Sequence, residues 1–163
     1  MDLVLLPENL MRTNRLFSMD KKILLVDADF YKELSEELVR GAVAEIERQG
    51  LTYDRLSVPG ALEIPAAISL AANRTDGESY MGYVALGCVI RGETSHYDIV
   101  CNESARGLTN LALKQGLAIG NGILTVDNAS QAWVRASVDK KNKGRAAVVA
   151  CISIARIRRK YIG

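Results

Sequence analysis

The sequence is poor in the residues that build metal clusters and disulfide frameworks. It contains one histidine, His96, and three cysteines, Cys88, Cys101 and Cys151, which lie far apart and form no CxxC pair. A single histidine excludes a histidine-rich metal cluster. An odd number of separated cysteines indicates reduced core residues rather than a zinc site or a disulfide framework. We therefore expect no bound metal.

Long apolar runs are also missing. No run approaches the ~20 residues that a membrane-spanning helix requires. The first residues, MDLVLLPENLM, lack the basic start of a signal peptide and are interrupted by Pro7 and Glu8. We therefore expect a cytoplasmic protein without a membrane partner. The 163 residues, 48% of them apolar and 25% charged, are typical of one soluble globular domain.

Basic side chains are concentrated near the C-terminus. Residues 135–163 hold nine of the 21 basic residues and one of the 19 acidic residues, Asp139. This pattern predicts either a solvated terminal helix with a small anion site or a nucleic-acid surface. Tyr161 is the one aromatic residue among these charges. Base stacking is therefore not indicated, and we expect no nucleic-acid partner.

Strand and helix patterns alternate along the chain after an N-terminal arm of residues 1–20, which has no clear period. Apolar runs predict the strands, and apolar residues at helical spacing predict the helices. The strands are predicted at residues 22–29, 51–58, 80–90 and 117–126, and the helices at 31–49, 63–72, 94–115, 128–137 and 142–160. This order predicts one α/β domain over residues 21–163, a three-layer sandwich in which helices cover both faces of a parallel sheet of buried strands.

Ligands of open parallel sheets bind beyond the carboxyl ends of the strands. The segment 91–96, RGETSH, follows the most apolar strand and is the most informative of these positions. Gly92 lets the backbone approach a ligand closely, and the start of the next helix offers free N–H groups to a phosphate. The alternative is an ordinary helix start, capped by Ser95 and Asp98. Glu93 and Thr94 stand where a nucleotide-binding loop has Lys and Ser or Thr, so we expect no nucleoside triphosphate.

Three other side chains are candidates for the same edge. His96 has the one side chain in the sequence whose ordinary pKa suits proton transfer near neutral pH, although a partly buried structural histidine is the alternative. Glu63 follows a Pro-Gly turn and can either accept hydrogen bonds from a polyol or complement the helix dipole. Phe30 ends the first strand, either as a core residue or as a stacking surface.

Three blocks of sequence together resemble the lumazine synthase family of riboflavin biosynthesis. Residues 58–65 read VPGALEIP, residues 85–98 read ALGCVIRGETSHYD, and residues 122–127 read GILTVD, followed by Gln131-Ala132 and Asn142-Lys143-Gly144. The blocks occur in the order and spacing of the family, and the resemblance runs from about residue 23 to about residue 157. The middle block is highly specific.

The resemblance implies a four-stranded parallel sheet with flavodoxin-like strand order and an N-terminal arm that pairs with a neighbouring subunit. It implies condensation of 5-amino-6-(D-ribitylamino)uracil with 3,4-dihydroxy-2-butanone 4-phosphate to 6,7-dimethyl-8-ribityllumazine, phosphate and water, without a metal or organic cofactor. It also implies a homo-oligomer with sites between adjacent subunits. Free pentamers, paired pentamers and sixty-subunit capsids all occur in the family. The Asn121-Gly122 pair and the Glu93 loop favour the pentamer.

The resemblance also implies roles for individual residues. His96 matches the residue that transfers protons. Asn121, Arg135 and Lys143 match positions that reach into the site from the next protomer. The substrate-binding positions are Phe30, Gly60, Ala61, Leu62, Glu63, Val89, Ile90, Asn121 and Lys143, and the phosphate-binding positions are Gly92, Glu93, Thr94 and Arg135.

The sequence departs from the family pattern at three places. Asp29-Phe30-Tyr31 replaces the usual Arg-Phe-Asn, Leu62 replaces a frequent Phe, and Asn121 replaces a Phe that covers the ring. Two lost aromatic rings weaken stacking, but they leave the proton-transfer and phosphate positions intact. Two alternatives therefore stay open. One is the related riboflavin synthase of the same fold, and the other is a flavin- or lumazine-binding paralogue or shell protein with little catalysis.

Overall fold

Four strands and five helices alternate along residues 21–162, the part of the chain that the computed structural model describes. The N-terminal arm and its expected pairing lie outside the described residues. The strands are β1 (Lys22–Ala28), β2 (Thr52–Val58), β3 (Gly82–Ile90) and β4 (Ile119–Val126). The helices are α1 (Lys32–Arg48), α2 (Glu63–Ala72), α3 (His96–Gln115), α4 (Ala129–Ala136) and α5 (Lys143–Tyr161).

The strands form one all-parallel sheet in the order β2-β1-β3-β4. Helices α1, α4 and α5 pack on one face, where Leu25, Leu86 and Val148 are completely buried. Helices α2 and α3 pack on the other face, where Val26 and Ile64 are completely buried. The predicted α/β sandwich with flavodoxin-like strand order is therefore confirmed.

The prediction that all strands are buried is wrong for β2. Residues 23–28 of β1 and 82–88 of β3 are buried, whereas every residue of β2 is exposed or half-buried, including Tyr53 and Leu56. The strand is at the edge of the sheet and is bonded to β1 alone. The other edge strand, β4, keeps alternate residues buried because α5 packs along it, whereas the helices beside β2 make few contacts with it. The sequence of residues 51–58 does not carry that information.

The starts of α4 and α3 are capped differently. At α4 the Asn128 side chain accepts a hydrogen bond from the N–H of Gln131 at 2.9 Å, as in a capping box. The Gln131 side chain returns to the N–H of Asp127 at 2.8 Å. At α3 neither Ser95 nor Asp98 forms the alternative cap, and the Thr94 hydroxyl instead accepts from the N–H of His96 at 3.4 Å.

Helix α5 packs unusually close to its neighbours because glycines stand at the contacts. A Cβ on Gly144 would overlap the carbonyl oxygen of Leu38 in α1, and a Cβ on Gly120 in β4 would overlap the carbonyl oxygen of Ala147. Asn142 precedes α5 in a left-handed conformation, with φ of 43°. Its side chain accepts from the N–H of Arg145 at 3.1 Å and so caps the helix.

A buried carboxylate joins α1 to α5. The Glu45 side chain is 2% exposed and accepts hydrogen bonds from Arg48, Gln49 and, across the helix pair, Arg145 at 3.1 Å. The hydrogen bonds from Arg48 are the main cause that lowers the pKa of Glu45 from 4.5 to about 2, and those from Gln49 and Arg145 add to it. Both arginine side chains are largely exposed.

We expect Glu45 to contribute to stability above pH 4.5 and to lose that contribution as the pH falls towards 2. The sign follows from the lowered pKa, because the unfolded chain takes up the proton first. Glu45→Gln should lower the free energy of unfolding by about 2 kcal/mol at pH 7, and the difference from the parent protein should shrink in acid.

Urea unfolding at one protein concentration, from pH 7 to pH 3, measures this difference. Glu47→Gln, on the exposed side of the same helix, is the matched control and should change the free energy of unfolding by less than about 0.5 kcal/mol. A deficit in Glu45→Gln that stays constant down to pH 3 would argue against the ionised cluster.

Candidate active site

A cavity of about 400 Å³ opens at the carboxyl ends of β1, β2 and β3. Its walls come from three separate turns and from the first turn of α3. Ten residues predicted from the sequence line it, namely Phe30, Gly60, Ala61, Leu62, Glu63, Val89, Ile90, Gly92, Thr94 and His96. The parallel sheet therefore brings together segments that lie more than 60 residues apart in the chain.

The ring of Phe30 stands in the cavity rather than in the core. It is 72% exposed and packs edge-to-face on Tyr31, with ring centroids 4.9 Å apart. An aromatic ring with so much free surface can stack on a planar ligand. The alternative assignment of Phe30 to the core is therefore wrong.

A fully buried carboxylate supports the turn that carries Phe30. Asp27, in β1, accepts hydrogen bonds from Ser35 in α1 at 2.9 Å and from Ser57 in β2 at 3.1 Å. Arg55 of β2 binds both of its oxygens, at 2.9 and 3.0 Å, and also reaches Glu36. Burial alone would raise the pKa of Asp27, but the hydrogen bonds from Arg55 and the two serines lower it below its ordinary value. The network fixes β2 and the start of α1 on either side of the Phe30 turn.

The turn after β2 forms the second wall. The N–H of Glu63 donates to the carbonyl of Gly60 at 3.2 Å, which starts α2 directly after the turn. Ala61 is buried, whereas Leu62 and Glu63 are exposed. A Cβ on Gly60 would lie 3.0 Å from a carboxylate oxygen of Glu63, so the carboxylate folds back over the turn. The Glu63 carboxylate, a hydrogen-bond acceptor, thus lies at the mouth of the cavity.

The segment after β3 forms the third wall. The N–H of Arg91 donates to the carbonyl of Val126 at 2.9 Å, which ties this segment to the end of β4. A Cβ on Gly92 would meet nothing within 4 Å, so the backbone there is open to a ligand. His96 is exposed at the first position of α3. Glu93 is exposed as well, but it does not line the cavity.

Three predicted site residues lie elsewhere in the chain. Asn121 is in the middle of β4, opposite Ala85, and its side chain accepts from the N–H of Ile123 at 3.0 Å. Arg135 is in the last turn of α4, where its guanidinium donates to the carbonyl of Gln131 at 3.0 Å. Lys143 is the first residue of α5. None of the three lines the cavity of its own chain, as far as residues 21–162 show.

Five further residues line the cavity, namely Tyr31, Pro59, Cys88, Tyr97 and Val100. Tyr31 and Pro59 belong to segments that the sequence places at the carboxyl ends of β1 and β2, whereas the other three were not expected there. Tyr97 and Val100 follow the apolar stripe of α3 and were assigned to packing alone, although Tyr97 directly follows His96. Cys88 was assigned to the core, and its burial raises the pKa of the thiol to about 11. Only the folded structure shows that these side chains face the cavity.

Within residues 21–162, no cluster of three or more histidine, cysteine, aspartate or glutamate side chains is arranged to hold a metal ion. Within the same residues no helix is both long enough and apolar enough to cross a membrane.

The chain is similar in sequence to known proteins over most of its length. The sequence profile of the 6,7-dimethyl-8-ribityllumazine synthase family matches residues 20–159. The chain is 52% identical to the 6,7-dimethyl-8-ribityllumazine synthase of Afipia carboxidovorans over 141 residues, which are 85% of this chain and 86% of that protein. It is 51% identical to the enzyme of that name from Bartonella bacilliformis, over 85% and 91% of the two chains. It is 50% identical to that of Agrobacterium fabrum, over 86% and 97%.

The family profile covers all four strands and the whole cavity wall. Each of these relatives also covers more than two thirds of this chain at about 50% identity. On both grounds, the chain belongs to the 6,7-dimethyl-8-ribityllumazine synthase family.

Proposed function

We propose that this chain condenses 5-amino-6-(D-ribitylamino)uracil with 3,4-dihydroxy-2-butanone 4-phosphate and releases 6,7-dimethyl-8-ribityllumazine, phosphate and water. The observation that carries the proposal is the single cavity in which ten of the predicted site residues meet. It lies at the sheet edge where open parallel sheets bind ligands. Nothing in the described chain favours the riboflavin synthase or the non-catalytic paralogue.

The pyrimidine binds on the Phe30 side of the cavity. The exposed Phe30 ring offers a stacking surface for the planar uracil. The backbone of Val89 and Ile90 reads the edge of the ring, since these two residues end β3 at the cavity wall. Glu63 accepts hydrogen bonds from ribityl hydroxyls, and Gly60, Ala61 and Leu62 shape the space around the chain.

The phosphate binds on the α3 side of the cavity. Gly92 exposes its backbone there, and Thr94 offers a hydroxyl beside the N-terminus of a 20-residue helix. The positive end of the helix dipole favours a bound phosphate at this position. Glu93 contributes through its backbone. Arg135 from a neighbouring subunit adds a charge-assisted hydrogen bond.

His96 transfers protons between the two reactants. The pyrimidine amine attacks the ketone and forms a Schiff base with loss of water. Phosphate then leaves by elimination, the resulting enol becomes a ketone, and the carbon chain turns. The ribitylamino nitrogen attacks that ketone and closes the second ring with loss of a second water. Most of these steps move a proton, which an exposed imidazole at the cavity wall can accept and return. The cavity also holds both reactants together, which supplies much of the remaining acceleration.

The active protein is a homo-oligomer, and the pentamer is the assembly we favour. The support is the division of the predicted site within one chain. Asn121, Arg135 and Lys143 lie on β4, α4 and α5, whereas the cavity is open and lined from β1, β2, β3 and α3. A neighbouring copy that presents its β4-α4-α5 side to the cavity would complete the site. Large apolar side chains also stay exposed in the single chain, such as Leu113 and Ile157.

We place the reaction in the cytoplasm. Cys88, Cys101 and Cys151 are all free thiols, and two of them are buried. Free cysteines are typical of a reducing compartment.

Mixing the purified protein with both substrates tests the proposed function. Lumazine fluorescence and inorganic phosphate should rise together and well above a control without enzyme, because the condensation also proceeds slowly unaided. Neither signal rising above the control, while the protein still binds lumazine or riboflavin, would contradict the proposal and support a binding paralogue.

His96→Ala should lower kcat by roughly 10²-fold, because the variant loses its proton carrier. Since His96 is exposed, the midpoint of thermal unfolding and the Kd of the pyrimidine substrate should change little. Steady-state kinetics and a binding titration measure the two effects. Unchanged turnover would reject the role of His96.

Arg135→Ala should raise the KM of the butanone phosphate by roughly 10-fold and leave the KM of the pyrimidine unchanged. The loss of a charge-assisted hydrogen bond to phosphate is the reason. Arg159→Ala, exposed near the end of α5 in the same basic segment, is the matched control and should leave both constants unchanged. An equal rise in both KM values of Arg135→Ala would count against a phosphate contact.

A further inference from the structure

The side chain of Arg91 joins three elements at the edge of the cavity. Its Nε donates to a carboxylate oxygen of Asp127, just after β4, at 3.1 Å. Its Nη1 lies 3.8 Å from a carboxylate oxygen of Asp98 in α3. Its guanidinium carbon lies 4.3 Å from the centre of the Tyr97 ring. The proposed condensation assigns no role to any of these contacts.

These contacts lie beside the wall of the cavity that is proposed to bind phosphate. Arg91 directly precedes Gly92, and its backbone N–H is bonded to Val126 at the end of β4. Tyr97 lines the cavity and follows His96 in the first turn of α3. One guanidinium therefore links the end of β3, the end of β4 and the turn that carries the proton-transfer residue.

Arg91 affects the charge beside the cavity more than it affects the free energy of unfolding. The side chains of Arg91, Asp98 and Asp127 are 50%, 59% and 63% exposed. Ion pairs at that exposure add little to the free energy of unfolding. Without Arg91, which directly precedes Gly92, Asp98 and Asp127 would lose their cationic partner next to the segment proposed to hold a dianionic phosphate, and negative charge left there disfavours a further anion.

We propose that Arg91 is a positioning residue that keeps Asp98 and Asp127 neutralised beside the phosphate segment and holds the Tyr97 ring against the cavity. Its Nε and Nη1 face carboxylates and one face of the guanidinium covers the Tyr97 ring, so the side chain is engaged with protein groups. This inference rests on the proposed function, which supplies the phosphate-bearing substrate.

The test compares R91M with the double variant R91M/D127N in the lumazine assay. Methionine keeps an unbranched side chain and removes the charge. R91M should raise the KM of the butanone phosphate by about 10-fold, with the KM of the pyrimidine within about 2-fold of the parent. R91M/D127N removes one unpaired carboxylate and should recover most of the loss. R91K, which keeps the charge, should stay within about 3-fold of the parent.

Arg74→Met is a closely matched control. Arg74 also pairs with two carboxylates, Asp76 and Glu78, and lies 5.7 Å from the ring centre of Tyr80. It is in the segment between α2 and β3, at the opposite end of the strands from the cavity. Both KM values of R74M should equal those of the parent.

The outcomes separate this inference from the function on which it rests. Calorimetry with inorganic phosphate is run on the same proteins, so that the role of Arg91 is tested even if the parent forms no lumazine. Weaker phosphate binding in R91M that is restored in R91M/D127N supports the inference. A double variant no better than R91M would overturn it and make Arg91 a direct phosphate contact. Equal changes in both KM values, or no change in R91M, would also overturn it.

Discussion

All strand pairings in the sheet are parallel, and the rest of the molecule depends on that constraint. Parallel pairing places the four carboxyl ends at one edge, so the turns after β1, β2 and β3 meet although they are far apart in the sequence. It also requires a crossover after each strand, which supplies the helices that cover the sheet. The cavity is a consequence of strand direction and does not need a segment of its own.

Buried carboxylates hold this arrangement at its weakest places. The edge strand β2 has little apolar contact, and Arg55 and Ser57 connect it instead to Asp27 beneath the Phe30 turn. Near the other end of α1, Glu45 accepts from Arg145 and so ties α1 to α5. A buried carboxylate without these donors would be costly, so each cluster makes its elements dependent on one another.

The electrostatic arrangement differs between the two halves of the proposed site. Within one chain, the cavity is lined mainly by apolar groups and backbone, and Arg91 beside it is occupied by Asp98 and Asp127. The further positive charge that we propose for the phosphate lies outside this cavity, on Arg135 of α4 and Lys143 of α5. In our proposal, Arg135 and Lys143 of one copy reach the cavity of another copy only when the two assemble, which links catalysis to assembly.

The sequence by itself determined the order of the elements, the sheet type, the turns that line the cavity and the family, because apolar periodicity and short motifs are local. The sequence predicted Phe30, Glu63 and His96 at the carboxyl edge of the sheet, and all three line the cavity there. The tertiary structure decided that β2 is an exposed edge strand, that Tyr97 lines the cavity and that Arg91 joins two strand ends. These features depend on strand order and on how the helices pack against the sheet, which arise from contacts between residues distant in the chain, and no local pattern records them.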